Sequence, residues 1–164
     1  MKKALTVSIP VVLIVGLFAL SVLADDTDDA LVRFKGGIGV IPVRGNTPPF
    51  AANVVQGVTP AGQPWVISDL DAKVKTNGDI KVDGEGLLLA GGNNIGTNSG
   101  QSVRARLFCG GIAHDTGLVP LEPNGDFRID DILTPLPPNP CANPILLIVS
   151  GGGNWFAAGI PKSD

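Results

Sequence analysis

Few residues in this chain can do chemistry. Its 164 residues include one histidine, two cysteines and no tyrosine. His114 and Asp115 stand side by side in "AHDTG", and Cys109 and Cys141 are the two thiols. Acidic residues gather around two copies of one phrase, "NGDIKVDG" from Asn77 and "NGDFRIDD" from Asn124. One histidine is too few for a multi-histidine metal site, and two thiolates without further His or Cys partners do not complete a zinc site. A Ser-His-Asp hydrolase is not indicated either, because no Gly-x-Ser-x-Gly elbow exists and nothing places a serine at His114.

The repeated phrase has two readings, a pair of cation-holding loops or a pair of turns. Calcium needs several oxygens converging at about 2.3–2.6 Å. The carboxylates that would have to converge are Asp69, Asp71, Asp83, Glu85 and the N-terminal Asp25, Asp26, Asp28 and Asp29, and no Asp-x-Asp-x-Asp-Gly loop organises them. Otherwise they form a solvated strand face. The turn reading comes from the flanks. Leu70, Ala72 and Val74 alternate with Asp71, Lys73 and Lys75, and beyond the turn Ile80 and Val82 alternate with Lys81 and Asp83. A two-residue loop would set Val74 opposite Lys81 and mix the two faces. The spacing therefore predicts a three-residue loop, Thr76-Asn77-Gly78, with Gly78 left-handed and Val74 opposite Ile80. "LEPNGDFRI" repeats this logic, with Phe127 and Ile129 facing the core.

Asp115-Thr116-Gly117 resembles the Asp-Thr-Gly of aspartic proteases, a family in which paired aspartates share a proton and activate water. The resemblance implies a hydrolase using Asp115. It stops at three residues: His114 stands where the family has an apolar residue, Leu118 where it has a small one, and the 47 residues after the triplet are too few for the flap and closing strands. A strand-ending turn is the simpler reading. For sugar binding the aromatic candidates are Trp65 and Trp155, both in strand-like apolar contexts that point to core packing.

Residues 1–24 read as a signal peptide. Lys2 and Lys3 form a positive n-region, residues 4–23 are almost wholly apolar, and Val22-Leu23-Ala24 offers a cleavage site. The apolar run could span a bilayer as an uncleaved anchor, but Pro10 interrupts it. Cleavage leaves residues 25–164 as one domain, large enough for a real core, and loss of the two lysines takes the net charge from −3 to −5. An acidic domain without a basic stripe excludes a nucleic-acid partner and disfavours anionic membranes, so no membrane contact is expected after cleavage. In an oxidising compartment Cys109 and Cys141 are expected to form a disulfide.

The elements that must position these groups are strands. Glycine (22) and proline (14) break the chain into short alternating runs with no sustained helical period. Strands are expected at 31–34, 38–43, 53–58, 65–75, 79–90, 102–113, 127–132, 145–149 and 154–158. The run "ILLIV" has no polar alternation, so it should be covered on both faces. The fold class is all-β, an antiparallel sandwich or barrel-like sandwich with a Pro-rich extended connection at 134–144 and a long Gly/Asn-rich loop at 91–101. In that loop Asn93, Asn94, Ile95, Thr97, Asn98 and Ser99 are the candidate interaction residues, since loops on a rigid scaffold carry binding; a plain hairpin connection is the competing reading.

Several phrases together, "FKGGIGVIPV", "GQPWVI", "GEGLLLAGGNNIGT", "RLFCGG", "LPPNPCANPILLI" and "WFAAGIPK", resemble a group of small exported proteins of environmental bacteria. The resemblance implies export and small size and carries no activity or ligand. The functional expectation is a secreted, extracellular or periplasmic, non-enzymatic domain without cofactor, whose partner is itself or a cell-surface or matrix component. The alternative is a soluble binding module for a small apolar or polysaccharide ligand near Trp65 or Trp155.

Overall fold

Most of the longer strands of this protein are built around a short alternating run, and glycine sets several of the turns between them. The computed structural model describes residues 29–43 and 52–162; residues 1–24, expected to be a signal peptide, and Asp25, Asp26 and Asp28 lie outside them. Eleven strands are described: β1 (Ala30–Gly39), β2 (Trp65–Val66), β3 (Asp69–Lys75), β4 (Asp79–Glu85), β5 (Leu88–Leu89), β6 (Ser102–Cys109), β7 (Ile112–Asp115), β8 (Val119–Pro120), β9 (Phe127–Ile132), β10 (Ile145–Ser150) and β11 (Trp155–Pro161). All strand pairs are antiparallel.

One sheet has the order β7-β6-β10-β11-β1-β3-β4-β9, with β8 also on β6, and β2 and β5 form a separate two-stranded sheet. The large sheet curls into a half-barrel. Its two ends meet at a seam. Asp115, at the end of β7, and Thr134, just past β9, exchange backbone hydrogen bonds of 2.9 Å in both directions. Gly117 N adds a 2.8 Å bond to Asp131 Oδ2. The seam ties the ends of the two edge strands together at one bridge.

The predicted turn is present as expected. Val74 pairs with Ile80, Gly78 has φ 88°, and its N–H donates to Lys75 O at 3.0 Å. Asn77 clamps the turn from both sides: Oδ1 accepts from Asp79 N (3.0 Å) and Nδ2 donates to Asp79 Oδ2 (2.9 Å). Asn124 does the same to Asp126, at 3.1 and 2.6 Å, and Gly125 has φ 86°. The Asn-Gly-Asp repeat is thus one self-bonding turn used twice. The two copies also run side by side, because β4 pairs with β9 so that Val82 faces Ile129, the equivalent position in the other copy.

The turns differ in what surrounds them. A Cβ on Gly78 would lie 2.6 Å from the flexible end of Leu136, whereas one on Gly125 would lie 2.6 Å from the backbone nitrogen of Leu87. Both substitutions carry the left-handed penalty of about 1–2 kcal/mol, but only Gly125→Ala must also move backbone. We expect urea unfolding to show Gly125→Ala costing at least about twice as much as Gly78→Ala. Equal losses would mean that turn conformation alone sets the cost.

Several expected strands are redrawn. The run 38–43 is not separate: β1 passes through Gly36-Gly37 as a bulge, with Gly36 at φ 85°, and pairs mainly with β3 before it and with β11 after it. The run 53–58 is a turn in which Val55 and Val58 exchange hydrogen bonds around Gln56 and Gly57, both at positive φ. The run 65–75 divides into β2 and β3, and 79–90 into β4 and β5 at Gly86 (φ 64°). The run 102–113 hides a hairpin: Gly110 and Gly111, at φ 59° and 86°, form the two-residue loop between β6 and β7, a loop that needs positive φ at both positions. Except at Ile67-Ser68, where the run 65–75 divides without a glycine, glycine conformation overrode the alternating pattern.

The core lies inside the curl, with Phe34, Leu70, Ile80, Leu107, Ile129, Leu133 and Leu146 fully buried. The outer side of β10 is also covered, as expected, and Leu146, Leu147, Ile148 and Val149 are all at 0% exposure. Val58 and Ala61, from the segment before β2, belong to the same buried cluster. The half-barrel therefore carries a partial second layer of chain.

Candidate functional site: a neutral groove beside β2

Where the acidic strand face was read as a cation-site candidate, the residues are distributed among cations instead. On the outer face of β3 and β4, like charges stand directly opposite: Asp71 faces Asp83, and Lys73 faces Lys81. Such pairs repel, and the flanking strands compensate. Lys35 Nζ reaches Asp71 at 2.9 Å, Arg128 reaches Asp83 at 2.5 Å and Lys81 reaches Asp130 at 3.0 Å. The hydrogen bond to Asp71 is the main cause that raises the pKa of Lys35, and the bond to Asp83 raises that of Arg128. Among the described residues no three acidic, His or Cys side chains are grouped to hold a metal ion.

Asp115-Thr116-Gly117 belongs to the seam. Both Asp115 oxygens are held by Arg106, through Nε and an Nη at 2.6 Å each, and this pairing raises the arginine's pKa. Thr116 is buried, accepting from Ala105 N at 3.0 Å through its hydroxyl. His114 points inward beside Leu107, and its Nδ1–H donates to Pro135 O at 2.6 Å while Nε2 is buried without a partner among the described residues. These residues lie where barrel closure needs them, and the hydrogen-bond partner of the Asp115 carboxylate is a guanidinium.

The expected disulfide is present, Cys109 to Cys141. It ties the start of β7's hairpin to the Pro-rich segment, and Gly110 N reinforces the tie with a 2.6 Å bond to Ala142 O. Pro135 and Leu136 of that segment reach His114 and Gly78 respectively.

The loop at 91–101 is ordered by its own bonds. Gly96 N donates to Leu89 O (2.8 Å) and Leu89 N to Thr97 O (2.9 Å), while Asn94 O accepts from the Thr97 hydroxyl at 2.8 Å. Asn98 is an internal pin: its Nδ2 donates to Leu121 O and Glu122 O, and Oδ1 accepts from Gly100 N. Asn93, Asn94, Ile95, Thr97 and Ser99 are exposed, with Ile95 at 65%. The six candidates thus separate into a polar rim, an apolar tip, and one structural residue.

Ser99 leads to the groove. Trp65, on β2, stacks on Phe156 of β11 with centroids 4.1 Å apart and planes 10° from parallel. Backbone bonds hold this pair in place: Val40 N donates to Phe156 O and Trp65 N to Val40 O, both at 2.8 Å. The stack and Leu89 floor an open groove of about 330 Å³. Three further segments contribute to its lining: Ala61, Gly62 and Gln63; Ser99 and Gln101; and Ser150, Gly152 and Asn154. Asn154 is braced by Nδ2 bonds to Thr59 Oγ1 (2.9 Å) and Pro60 O (3.1 Å). The side-chain amides of Gln63 and Gln101 make no hydrogen bond to the described residues, and among the described residues no ionisable side chain lines the groove.

Of the two tryptophans, only Trp65 serves the groove. Trp155 is a packing residue whose indole N–H donates to Asn53 O at 3.2 Å. Gln63, Gln101 and Asn154 were not singled out from sequence, where only the neighbouring Trp65 and the loop were visible signals. No family model matches the chain, and neither the curated proteins nor the solved structures contain a match to it.

Proposed function

We propose that this chain is an exported, non-enzymatic binding domain that attaches to a cell-surface or matrix component through the groove beside β2. The observation that carries the reading is the set of neutral polar side chains, the amides of Gln63 and Gln101 among them, that line one groove together with the stacked Trp65 and Phe156. Gln101 is half-buried and Gln63 exposed, so both amides are open to an incoming ligand. The residues suited to catalysis, His114 and Asp115, are engaged in closing the barrel. Export is supported by the disulfide, and no helix among the described residues is long and apolar enough to cross a membrane.

The test is attachment of the mature protein to surface material of the producing cells. Gln63→Ala/Gln101→Ala should unfold within about 2 °C of the wild type, since neither side chain is bonded internally, and should lose most of the attachment. Undiminished attachment would remove the groove from the reading. A second reading, self-association, draws on exposed aliphatic side chains of β1 and β11, Ile38 at 60% and Ile160 at 43%. In that case light scattering shows mass rising with concentration, in both the wild type and the double variant.

A further inference from the structure

We infer that the groove's ligand is a neutral, hydroxyl-rich saccharide; this rests on the reading of the groove as the attachment site. The chemistry of the lining is the first reason. A carboxamide offers a carbonyl acceptor and two N–H donors, and a hydroxyl is both donor and acceptor. Gln63, Gln101 and Ser99 contribute these groups to the lining, and together they suit the adjacent hydroxyls of a sugar ring.

The second reason is charge. A charged ligand entering this groove would shed water without meeting a counter-charge, which is unfavourable. A uronic acid, a phosphate or a cationic peptide is therefore disfavoured, although the outer face of β3, β4 and β9 is rich in both signs.

The third reason separates a sugar from a peptide strand. Strand addition requires a row of unpaired backbone groups at a sheet edge. Here the walls are turns whose backbone is already bonded: Ala61 N to Trp155 O, Ala90 N to Pro64 O, Ser150 N to Asn154 O and Gln101 N to Asn98 O. What the groove offers is side-chain amides and hydroxyls over an apolar floor. Trp65 and Phe156 are only 4% and 5% exposed, so with Leu89 they form an apolar bottom on which the C–H face of a ring can rest. At about 330 Å³ the groove lies at the low end of ligand sites, roughly 300–1,000 Å³, and it is open, so it suits a short stretch of a longer glycan.

The test uses the mature protein with its disulfide intact. Attachment to surface material is measured after periodate oxidation of that material, which cleaves vicinal diols, and after protease digestion. It is measured again with soluble hexaoses of glucose, mannose and galactose as competitors, with polygalacturonate as the charged control. The expected result is loss of attachment on periodate treatment, retention after protease, competition by at least one neutral hexaose and none by polygalacturonate. The competing hexaose should move the side-chain amide resonances of Gln63 and Gln101, and Gln101→Ala should weaken its Kd about tenfold, the effect of one lost hydrogen bond. Attachment that is lost in Gln63→Ala/Gln101→Ala but destroyed by protease and indifferent to every hexaose would overturn the saccharide and leave the groove standing. Attachment indifferent to the double variant would overturn both.

Discussion

Replacing Cys109 and Cys141 together by alanine is expected to lower stability by about 4 kcal/mol, the chain-entropy value for a closed loop of this length. The sequence separation is 32. For a domain of this size the melting temperature should fall by about 10–15 °C. The effect has a location as well as a magnitude. The bridge holds the segment 134–144, which supplies the acceptor for His114 and a bonded residue of the seam, Thr134. Hydrogen exchange in the variant should therefore accelerate first at the amides of Asp115 and Thr134, with β3 and β4 protected until global unfolding. A variant that melts with the wild type, or that opens uniformly, would show that the bridge does not restrain the seam.

The second large effect is expected at Gly39. A Cβ there would stand 2.1 Å from Trp65 O, 2.7 Å from Val66 Cα and 2.9 Å from Trp65 C. All three are backbone atoms, so no rotamer change relieves the contact, and β2 would have to leave β1. Gly39→Ala should cost more than about 4 kcal/mol, in the range reserved for the most disruptive substitutions. Because Trp65 is carried on β2, its stacking on Phe156 should be lost as well, visible as a change in near-ultraviolet circular dichroism. The control is Gly62→Ala, where a Cβ meets nothing within 4 Å and φ is not left-handed; its midpoint should move by no more than about 0.5 kcal/mol. A stable Gly39→Ala with native stacking would mean that β1 and β2 can separate freely.

These two sites also show what was legible in the sequence. The disulfide could be named because two cysteines have one pairing. The turn at Asn77 could be set to the residue because alternation on both sides admits only one loop length, and because the clamp from Asn77 to Asp79 is made within three residues. The need for glycine at position 39 was not legible. It depends on how closely β2 crosses β1, and the residues concerned are remote in sequence. The hairpin at Gly110-Gly111 was legible in principle, since paired glycines between apolar runs are a two-residue loop signal, but an unbroken alternation around it read as one long strand.

The loop at 91–101 was found for a general reason, its length and polarity, and its residues then proved unequal in role. Asn98 resembles its neighbours in composition, yet its amide is spent on Leu121 and Glu122. Ser99, unlike Asn93, is brought by the loop's path into the lining of the groove with Gln101 and Phe156.

By itself, then, the sequence determined what is local: strand-forming alternation, glycine turns, a single disulfide pairing, and a shortage of catalytic groups. Tertiary structure alone decided the order of strands, the closing of the half-barrel through Asp115 and Thr134, and the meeting of Gln63, Gln101, Asn154 and the Trp65–Phe156 stack. The reason is physical. A turn is specified by dihedral preferences within a few residues, whereas sheet hydrogen bonds and groove walls join segments whose only relation is the path of the whole chain, and no local pattern encodes which strand a given edge will meet.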